Sequence, residues 1–440
     1  MIRKLSILLS CSLLAFASSA QGETDRDEEP EDETEIRENP IIDGTDDVFD
    51  IVVPSFIKKG KNHILFNGAD WTKLRSALTR VTTNPVNIIH IGDSHLQADF
   101  ATSEVRNNLQ YDYGNAGRGL ITPLRLSSTN QPVDYTFSST LNWNAVKLMS
   151  QVWPRTMGFT GTSITPVNPK SNFLVATSEK DDYNPFSAIT VFHNGQFYVT
   201  SVADADGKLI PFVAEPSKNY THISLSREVT SARIYFDSAG DLTLFGANLS
   251  GKRPGLFYHT IGNNGATYGT YNRIGKIGEG IAPLHPDLVI ISLGTNEAFG
   301  RFDAGYIKTE IDRLVSNIRN ANPDAAILLV TPMECQRITY TTVKGRKKKK
   351  RRRSSTRRVK GYRINDNVER VRDVIIDYGR ANNIPVYDWY TVAGGDGASN
   401  KWIKDGLFSG DRIHHSYKGY KLQGLLMYQA LHEAFTQFDK

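Results

Sequence analysis

The feature that most constrains the fold of this chain is a series of short apolar runs that alternate with helical patterns. Each run has the length of a buried strand, and strands that alternate with helices are typical of a parallel sheet covered by helices on both faces. We therefore predict a doubly wound α/β fold. The predicted strands cover residues 86–91, 256–261, 288–291, 326–330 and 384–387, and the predicted helices run from the turn at 92 to about 109 and over about 303–320, 365–382 and 416–436.

The stretch between residues 126 and 254 has a different pattern. Its segments 188–192, 196–200 and 232–236 are rich in β-branched and aromatic residues, and turns that contain glycine punctuate them. Since no helical pattern is found there, the stretch predicts an all-β sandwich inserted between the first and second strands of the α/β domain. The predicted domains are a first α/β part at 51–125, the β module at 126–254 and a second α/β part at 255–440.

The first 20 residues have the pattern of a signal peptide. Two basic residues at 3–4 precede an apolar segment at 5–16, and small residues at 18–20 provide a cleavage site. This pattern predicts export to the periplasm or the extracellular space, with the mature chain beginning after residue 20. Cys11 offers an alternative lipoprotein cleavage site, which would leave a signal of only ten residues. No later run is apolar for the ~18 residues that a membrane span needs.

Cysteine usage limits the classes of site that the chain can contain. Two cysteines in 440 residues exclude a disulfide-rich scaffold and a multi-cysteine metal site. If Cys11 is removed with the signal peptide, Cys335 remains alone and no intrachain disulfide can form.

The net charge of +5 conceals two opposed runs of charge. Residues 21–50 contain 14 acidic and 2 basic side chains, whereas residues 344–360 contain 12 Lys and Arg and no acid. The acidic stretch cannot bury enough apolar surface to fold, so we predict a disordered linker at 21–50.

Four polar blocks lie at the predicted carboxyl ends of strands or just before the last helix. Ligands of open α/β sheets bind at this edge, so side chains that are far apart in sequence can meet there. The blocks are Gly92-Asp93-Ser94-His95, Gly262-Asn263-Asn264-Gly265-Ala266-Thr267, Gly294-Thr295-Asn296-Glu297 and Asp411-Arg412-Ile413-His414.

Each block carries a group that acyl transfer could use, although each also has a plain structural interpretation. Ser94 at a strand-to-helix turn is exposed, but a serine there can also be a helix cap. Backbone N–H groups within 262–267 and the Asn296 amide can stabilise an oxyanion, but both segments also suit ordinary turns. Asp411, three residues before His414, can hold the imidazole in one tautomer while its other nitrogen accepts a proton from serine.

Together, and in this order, the blocks resemble those of the SGNH (GDSL-type) hydrolases. That superfamily has a doubly wound, flavodoxin-like sheet and a signature of Ser, Gly, Asn and His in the same chain order. The resemblance covers about 85–125 and 255–436 and leaves the β module outside. Gly265 is preferred to Gly262 because the oxyanion glycine is the second in the family pattern Gly-x-x-Gly-x-Thr. The resemblance implies a catalytic triad of Ser94, His414 and Asp411 and an oxyanion hole from the backbone N–H groups of Ser94 and Gly265 and the Asn296 side chain.

Two residues depart from the common pattern of the superfamily. His95 replaces a leucine after the serine, and Glu297 replaces an aspartate after Asn296. Neither is a nucleophile, base or oxyanion donor. The Gly-Asp-Ser-His block, together with a long β insertion, resembles the peptidoglycan O-acetylesterase branch, in which the inserted module is similar to a carbohydrate-binding jelly roll.

The resemblance implies a serine esterase that removes O-acetyl groups from a carbohydrate, with peptidoglycan favoured. Its partner would be an acetylated glycan or cell-wall polymer, and its two-step acyl transfer requires no metal or other cofactor. The alternatives are a lipid or thioester hydrolase, an acetyltransferase that passes the acyl group to a sugar, and an inactive glycan-binding protein.

The basic stretch 344–360 follows a predicted strand and should be a loop on the catalytic edge of the sheet. It could attract an acidic polymer to the site, or it could be a solvated insertion without a function. Nucleic acid is not expected as a partner, since the chain is predicted to be exported and no aromatic residues are interleaved with the run. The residues proposed to attract substrate are Lys347, Lys348, Lys349, Lys350, Arg351, Arg352 and Arg353.

Several other side chains compete for a role at the site. His415 is a fallback base, whereas His90 and His259 lie within predicted strands and should be structural. Glu334 follows a strand and could line the pocket, but a solvated loop carboxylate is the simpler interpretation. Aromatic residues of the β module could stack on sugar rings or form its core. They are Trp143, Trp153, Phe173, Tyr183, Phe186, Phe192, Phe197, Tyr198 and Phe212.

Overall fold

The computed structural model of the protein describes residues 51–178, 184–344 and 356–437. The predicted signal peptide 1–20, the predicted linker 21–50, Tyr183 and the basic residues 347–353 lie outside these ranges. No helix within the described ranges is both long enough and apolar enough to cross a membrane.

The described chain contains strands and helices that we number in chain order. The strands are β1 (Val86–Gly92), β2 (Gly119–Ile121), β3 (Tyr135–Ser138), β4 (Trp143–Lys147), β5 (Thr162–Pro166), β6 (Lys170–Thr177), β7 (Phe186–Asn194), β8 (Phe197–Ala203), β9 (Phe212–Pro216), β10 (Tyr220–Val229), β11 (Ser231–Ser238), β12 (Thr243–Ser250), β13 (Leu256–Gly262), β14 (Leu288–Ser292), β15 (Ala326–Val330), β16 (Gln336–Lys344), β17 (Thr356–Ile364) and β18 (Val386–Tyr387). The helices are α1 (Thr72–Thr79), α2 (Ser94–Gln97), α3 (Phe100–Tyr113), α4 (Tyr268–Asn272), α5 (Ile277–Ile281), α6 (Ala304–Ala321), α7 (Asn367–Ala381), α8 (Trp389–Val392), α9 (Ala398–Lys404) and α10 (Tyr417–Thr436).

A five-stranded parallel sheet forms the centre of the α/β domain, in the order β13-β1-β14-β15-β18. Strand β1 lies between the other two strands that carry polar blocks, because Val86 pairs with Leu256 and Ile88 pairs with Leu288. All seven residues of β1 are buried, as expected for a parallel strand covered on both faces. Helices α1, α3 and α10 pack together, and α4, α5, α6 and α7 form a second packed group. The predicted α/β class is confirmed.

The β module consists of two antiparallel sheets inserted between β1 and β13. A seven-stranded sheet has the order β4-β5-β12-β7-β10-β9, with β2 also paired to β12, and a four-stranded sheet has the order β3-β6-β11-β8. Their buried side chains, among them Phe137, Phe173 and Ile189, form one hydrophobic cluster, so the module is a sandwich with its own core. Strand β2 begins at Gly119, before the predicted start of the module at 126.

The chain enters and leaves the β module through neighbouring backbone. The Leu256 N–H donates to the Gly114 carbonyl at 2.8 Å, and the Gly251 N–H donates to the Ala116 carbonyl at 2.8 Å. The two ends of the insertion are therefore joined by hydrogen bonds directly beside the central sheet.

A buried ion cluster joins α3 to the beginning of the β module. Asp99 accepts hydrogen bonds from Arg106 at 2.8 Å and from Arg118 at 2.7 Å, and Arg118 also reaches Asp134 at 2.9 Å. Burial alone would raise the pKa of Asp99, but the two guanidinium groups lower it below its usual value, so the carboxylate stays ionised. The cluster fixes the segment that follows Ser94 against the module.

The described ends of the basic stretch 344–360 belong to strands. Lys344 ends β16, and residues 356–360 begin β17, which pairs with β16 as an antiparallel hairpin. The prediction of a loop across the whole stretch was wrong because strand pairing extends further than the apolar pattern.

Candidate active site

Ser94 occupies a tight turn between β1 and α2. Asp93 caps the helix, and its Oδ1 accepts a hydrogen bond from the His95 N–H at 3.0 Å. A Cβ on Gly92 would lie 2.7 Å from the Ser292 carbonyl oxygen and 2.8 Å from a methyl group of Leu96. Only glycine permits this close approach, which places Ser94 at the carboxyl edge of the sheet.

Three of the predicted site residues form a continuous chain of hydrogen bonds. Ser94 Oγ lies 2.7 Å from His414 Nε2, and His414 Nδ1 lies 2.6 Å from Asp411 Oδ2. Ser94 and His414 are 320 positions apart in sequence. The order of the contacts is that of a nucleophile, a general base and the carboxylate that orients the base.

The short segment that carries Asp411 is organised around its own carboxylate. Asp411 Oδ1 accepts hydrogen bonds from Ser409 Oγ at 2.7 Å, from the Ile413 N–H at 2.8 Å and from the His414 N–H at 2.9 Å. One carboxylate oxygen thus fixes the backbone, while the other fixes the imidazole. Burial would raise the pKa of Asp411, but the bond to His414 and the backbone N–H groups lower it far below its usual range.

The hydrogen bond between His414 and Asp411 also determines the pKa of His414. Burial alone would lower the pKa of His414, but the hydrogen bond and negative charge of Asp411 outweigh it. The pKa therefore lies above the ordinary value of 6.5. A raised pKa strengthens the imidazole as a base, although it also extends the protonated, inactive range to higher pH.

Arg412, between Asp411 and Ile413, anchors this segment to the β16–β17 hairpin. Its φ of +62° is in the left-handed region. Its guanidinium lies 3.8 Å from the centre of the Tyr362 ring and donates to Gln336 Oε1 at 3.0 Å. Its carbonyl accepts the Gln336 N–H at 3.0 Å. The first residues of the hairpin therefore hold the segment that carries Asp411 and His414.

Asn296 connects the first three polar blocks. Its Nδ2 donates to the Ala266 carbonyl at 2.9 Å and to Asp93 Oδ2 at 3.3 Å. Burial raises the pKa of Asp93 to about 6. Gly265, next to Ala266, has a φ of +75°, a conformation that favours glycine and turns the backbone of the second block. The structure brings Gly265 and Asn296, the other two predicted oxyanion residues, to the same edge as Ser94, while their role is a prediction.

Gln97 is a site residue that sequence reasoning missed. Its Oε1 accepts the Asn264 N–H at 2.8 Å, and its Nε2 donates to Thr129 Oγ1 at 2.8 Å and to the Asn130 carbonyl at 3.1 Å. Gln97 thus holds the second block against the start of the β module. A single glutamine within a helical pattern gives no signal of such distant contacts.

The β module reaches the candidate site through the segment after β4. Arg273 donates to the carbonyls of Ser150 and Gln151 at 3.0 Å each and stacks 4.3 Å from the centre of the Trp153 ring. The side chain of Met149 then lies 3.5 Å from where a Cβ on Gly265 would be. The module therefore forms part of the wall beside a predicted oxyanion residue, which its separate sequence pattern did not indicate.

The other histidines do not take the place of the base. His415 is buried, packs 4.9 Å from the Trp402 ring, and burial lowers its pKa to about 3. His90 is buried between Tyr258 Oη at 2.8 Å and Ser292 Oγ at 2.6 Å. His259 accepts the Leu120 N–H at 3.0 Å. Both strand histidines are structural.

Glu334 is neither solvated nor part of the pocket wall, so both predictions for this residue were wrong. The side chain is only 1% exposed. Its carboxylate accepts the N–H groups of Gly397 and Ser399 at 2.8 Å each, and the Ser399 hydroxyl at 2.6 Å. Glu334 therefore fixes the beginning of α9.

The two departures from the family pattern have separate structural roles. His95 Nδ1 lies 3.1 Å from Tyr420 Oη, and its ring packs 5.1 Å from the His414 ring. Glu297 Oε1 accepts the Tyr268 N–H at 2.7 Å at the first residue of α4, and burial raises the pKa of Glu297 to about 7. His95 thus packs behind His414, and Glu297 joins the third block to α4, the helix that follows the second block.

The aromatic residues of the β module differ in burial. Tyr198 is 59% exposed, and Tyr235 of β11 is 37% exposed. Trp143, Trp153 and Phe212 are half-buried. Those fully buried are Phe173, Phe186, Phe192 and Phe197.

A family model matches the second half of the chain. The model describes a GDSL-like lipase/acylhydrolase family and covers residues 235–422. The chain contains a GDSL-like lipase/acylhydrolase domain. The matched range includes Gly265, Asn296, Asp411 and His414, while Ser94 precedes it. The matched segment therefore resembles the SGNH/GDSL hydrolases, in agreement with the four blocks.

Solved structures extend the fold comparison to the β module. A peptidoglycan O-acetylesterase structure aligns with a TM-score of 0.65 at 18% identity, covering 84% of this chain and 99% of its own. A lipase/acylhydrolase from Enterococcus faecalis aligns at 17% identity with a TM-score of 0.28, covering 42% of this chain and 80% of its own. A GDSL-like lipase from Bacteroides thetaiotaomicron aligns at 21% identity with a TM-score of 0.28, covering 40% and 76%. The search of curated proteins found no match to this sequence. The GDSL-like domain and the β module together thus resemble the fold of a peptidoglycan O-acetylesterase.

Proposed function

We propose that this protein is an exported serine esterase that removes O-acetyl groups from a carbohydrate, with peptidoglycan as the favoured substrate. The observation that carries the proposal is the Ser94–His414–Asp411 chain, with contacts of 2.7 and 2.6 Å. The fold shared with a peptidoglycan O-acetylesterase supports the choice of substrate, and the pattern of residues 1–20 supports export.

The reaction follows from the order of these contacts. His414 Nε2 accepts the Ser94 hydroxyl proton as Oγ bonds to the acetyl carbonyl carbon, giving a tetrahedral oxyanion. The C–O bond to the sugar then breaks, and His414 returns the proton to the sugar oxygen, leaving acetyl-Ser94. Water, deprotonated by His414, attacks this ester in the same way, and acetate leaves as the proton returns to Ser94.

The oxyanion would be stabilised by the N–H groups of Ser94 and Gly265 and by the Asn296 amide. Loss of one such donor typically costs about 3–4 kcal/mol of transition-state stabilisation. Asn296 Nδ2 donates to Asp93 Oδ2 at 3.3 Å and to the Ala266 carbonyl at 2.9 Å. The longer hydrogen bond, to Asp93, is the one that a hydrogen bond to the oxyanion would replace.

Acetate release from a panel of polymers tests the proposal. O-Acetylated peptidoglycan should release acetate faster than acetylated xylan, pectin or sialoglycan, and p-nitrophenyl acetate should be preferred to the decanoate. Preference for the decanoate would favour a lipid hydrolase, and transfer of acetyl to an added sugar would favour a transferase. Failure to cleave any ester would leave an inactive glycan-binding protein.

Arg412→Gly is expected to lower kcat for p-nitrophenyl acetate about tenfold, with little change in KM, because small misplacement of catalytic groups costs up to ~100-fold in rate. The variant loses the stack on Tyr362 and the bond to Gln336 Oε1. Glycine also avoids the cost of a left-handed conformation, about 1–2 kcal/mol, so the free energy of unfolding should change little. Steady-state kinetics and urea unfolding measure the two effects, and reduced stability with unchanged kcat would contradict a positioning role.

A further inference from the structure

Strands β16 and β17 form a two-stranded ribbon that pairs with no other strand of the described chain. Gln336 pairs with Ile364 at the base, and Lys344 pairs with Thr356 at the far end. Two-stranded ribbons are only marginally stable alone, so the contacts at the base matter for this one. Arg412 holds the end of the ribbon at Gln336 and Ile364. Tyr362 Oη holds the same end by donating to the Gly410 carbonyl at 3.4 Å.

The pairing register gives the ribbon two different faces. Side chains alternate between faces along a strand, and residues directly opposite each other share a face. The register therefore places Tyr340 and Arg358 on one face, while Arg357, paired with Val343, is on the other. We call the first the tyrosine face, which consists of Ile338, Tyr340, Thr342, Arg358, Lys360 and Tyr362.

The tyrosine face combines exposed aromatic and apolar surface with cations. Tyr340 is 49% exposed and Ile338 is 42% exposed. The Arg358 guanidinium lies 4.7 Å from the centre of the Tyr340 ring. A stacked guanidinium keeps its N–H donors in its own plane, where they can meet a carboxylate. Neither strand contains an Asp or Glu, so the ribbon itself supplies no carboxylate for Arg358.

The tyrosine face leads to the catalytic segment. Tyr362, at the base of this face, stacks 3.8 Å from Arg412, whose neighbour Asp411 orients the catalytic base. A polymer bound along the face would therefore approach the edge of the sheet where Ser94 lies. Each step of two residues along a strand advances about 6.5–7 Å, so the face suits an extended ligand better than a single small molecule.

We propose that the tyrosine face is a docking surface for an anionic polysaccharide strand. Its sugar rings would pack against Tyr340 and Ile338, and a carboxylate would accept hydrogen bonds from Arg358. The choice of a polysaccharide rests on the function proposed above. The substrate would be a polymeric, acidic polysaccharide, and it would bind to the tyrosine face at a distance from the ester that is cleaved. Binding itself requires no catalysis and can be tested without it.

Binding to sodium polygalacturonate, which carries a carboxylate on each sugar, tests the proposal in the full chain with Ser94→Ala. Arg358→Ser should weaken binding about tenfold, as expected for loss of a charge-assisted hydrogen bond. Tyr340→Ala should weaken it about fivefold, whereas Tyr340→Phe, which keeps the ring, should bind like the parent. The matched control is Arg357→Ser, which removes the same charge from an exposed neighbouring residue on the opposite face and should weaken binding less than about twofold.

Three results would overturn the docking surface. Equal losses of affinity from Arg358→Ser and Arg357→Ser would show that total charge alone attracts the polymer. A parent protein that does not bind polygalacturonate would exclude an anionic polysaccharide as the ligand. Binding of single-stranded oligonucleotides more tightly than polygalacturonate would assign the face to nucleic acid instead. Because every measurement uses Ser94→Ala, absence of esterase activity in the wild type would refute the proposed function without changing these outcomes.

Discussion

Ser94→Ala is expected to lower kcat/KM for p-nitrophenyl acetate by about 10⁴-fold or more, because the nucleophile of an acyl-enzyme mechanism has no substitute. The variant removes only the hydroxyl that lies 2.7 Å from His414 Nε2. The remaining groups could still stabilise an oxyanion formed by attack of water, so a slow residual rate is expected. Acetate release from O-acetylated peptidoglycan should fall in parallel.

The matched control is Ser103→Ala in α3. This substitution removes a hydroxyl that donates to the Phe100 carbonyl at 3.1 Å within the same helix. Its activity should stay within about twofold of wild type, since a local side chain-to-backbone bond contributes only ~1 kcal/mol to stability and does not touch the triad. A Ser94→Ala protein that retains more than a tenth of wild-type activity would exclude Ser94 as the nucleophile.

Asp411→Asn is expected to lower kcat by about 10³–10⁴-fold because it places an amide against His414 Nδ1 and favours the wrong tautomer. The asparagine carbonyl can still accept the backbone N–H groups of Ile413 and His414, so the segment should keep its fold. With Nδ1 accepting from the new amide, Nε2 carries the proton and cannot take one from Ser94. Steady-state kinetics measure the loss.

The same substitution should also move the pH dependence. In the wild type, kcat/KM should fall as the pH drops through the pKa of His414, which Asp411 holds above 6.5. Without the negative charge, the imidazole is easier to deprotonate, so the acidic limb of the profile should shift to lower pH. The control is Asp405→Asn, which removes one negative charge from an exposed residue at the end of α9. Equal shifts in both variants would show a general charge effect rather than the Asp411–His414 pair.

The central sheet could be predicted from sequence because its strands are buried on both faces. Such strands are continuous apolar runs, and β14 and β15 differ from prediction by at most one residue at either end. The contacts among Ser94, His414 and Asp411 could also be predicted, since Asp411 and His414 are close in sequence and the sheet edge determines where Ser94 lies. These inferences depend on local patterns or on one general property of parallel sheets.

What could not be predicted depends on contacts between distant segments. Glu334 is buried because Gly397 and Ser399 donate to it, more than 60 positions away, and no local pattern distinguishes it from a solvated carboxylate. Gln97 and Met149 reach the site for similar reasons. The basic stretch 344–360 predicts a loop although residues 356–360 begin β17, because exposed strands rich in Arg and Lys lack the alternation of apolar and polar residues that marks a half-buried strand.

The hydrogen-bonded ends of the β module have a consequence for how the protein folds. Strands β1 and β13 are separated in sequence by the whole β module. Their pairing is therefore a non-local contact, and such contacts form slowly. Once the module has folded, the bonds between Leu256 and Gly114 and between Gly251 and Ala116 hold its two ends together. Folding of the module has then already brought the two ends together, so the pairing of β1 with β13 carries little further loss of loop-closure entropy. If the β module folds first, mutations in its core should slow refolding of the central sheet as well as lower the stability of the native state.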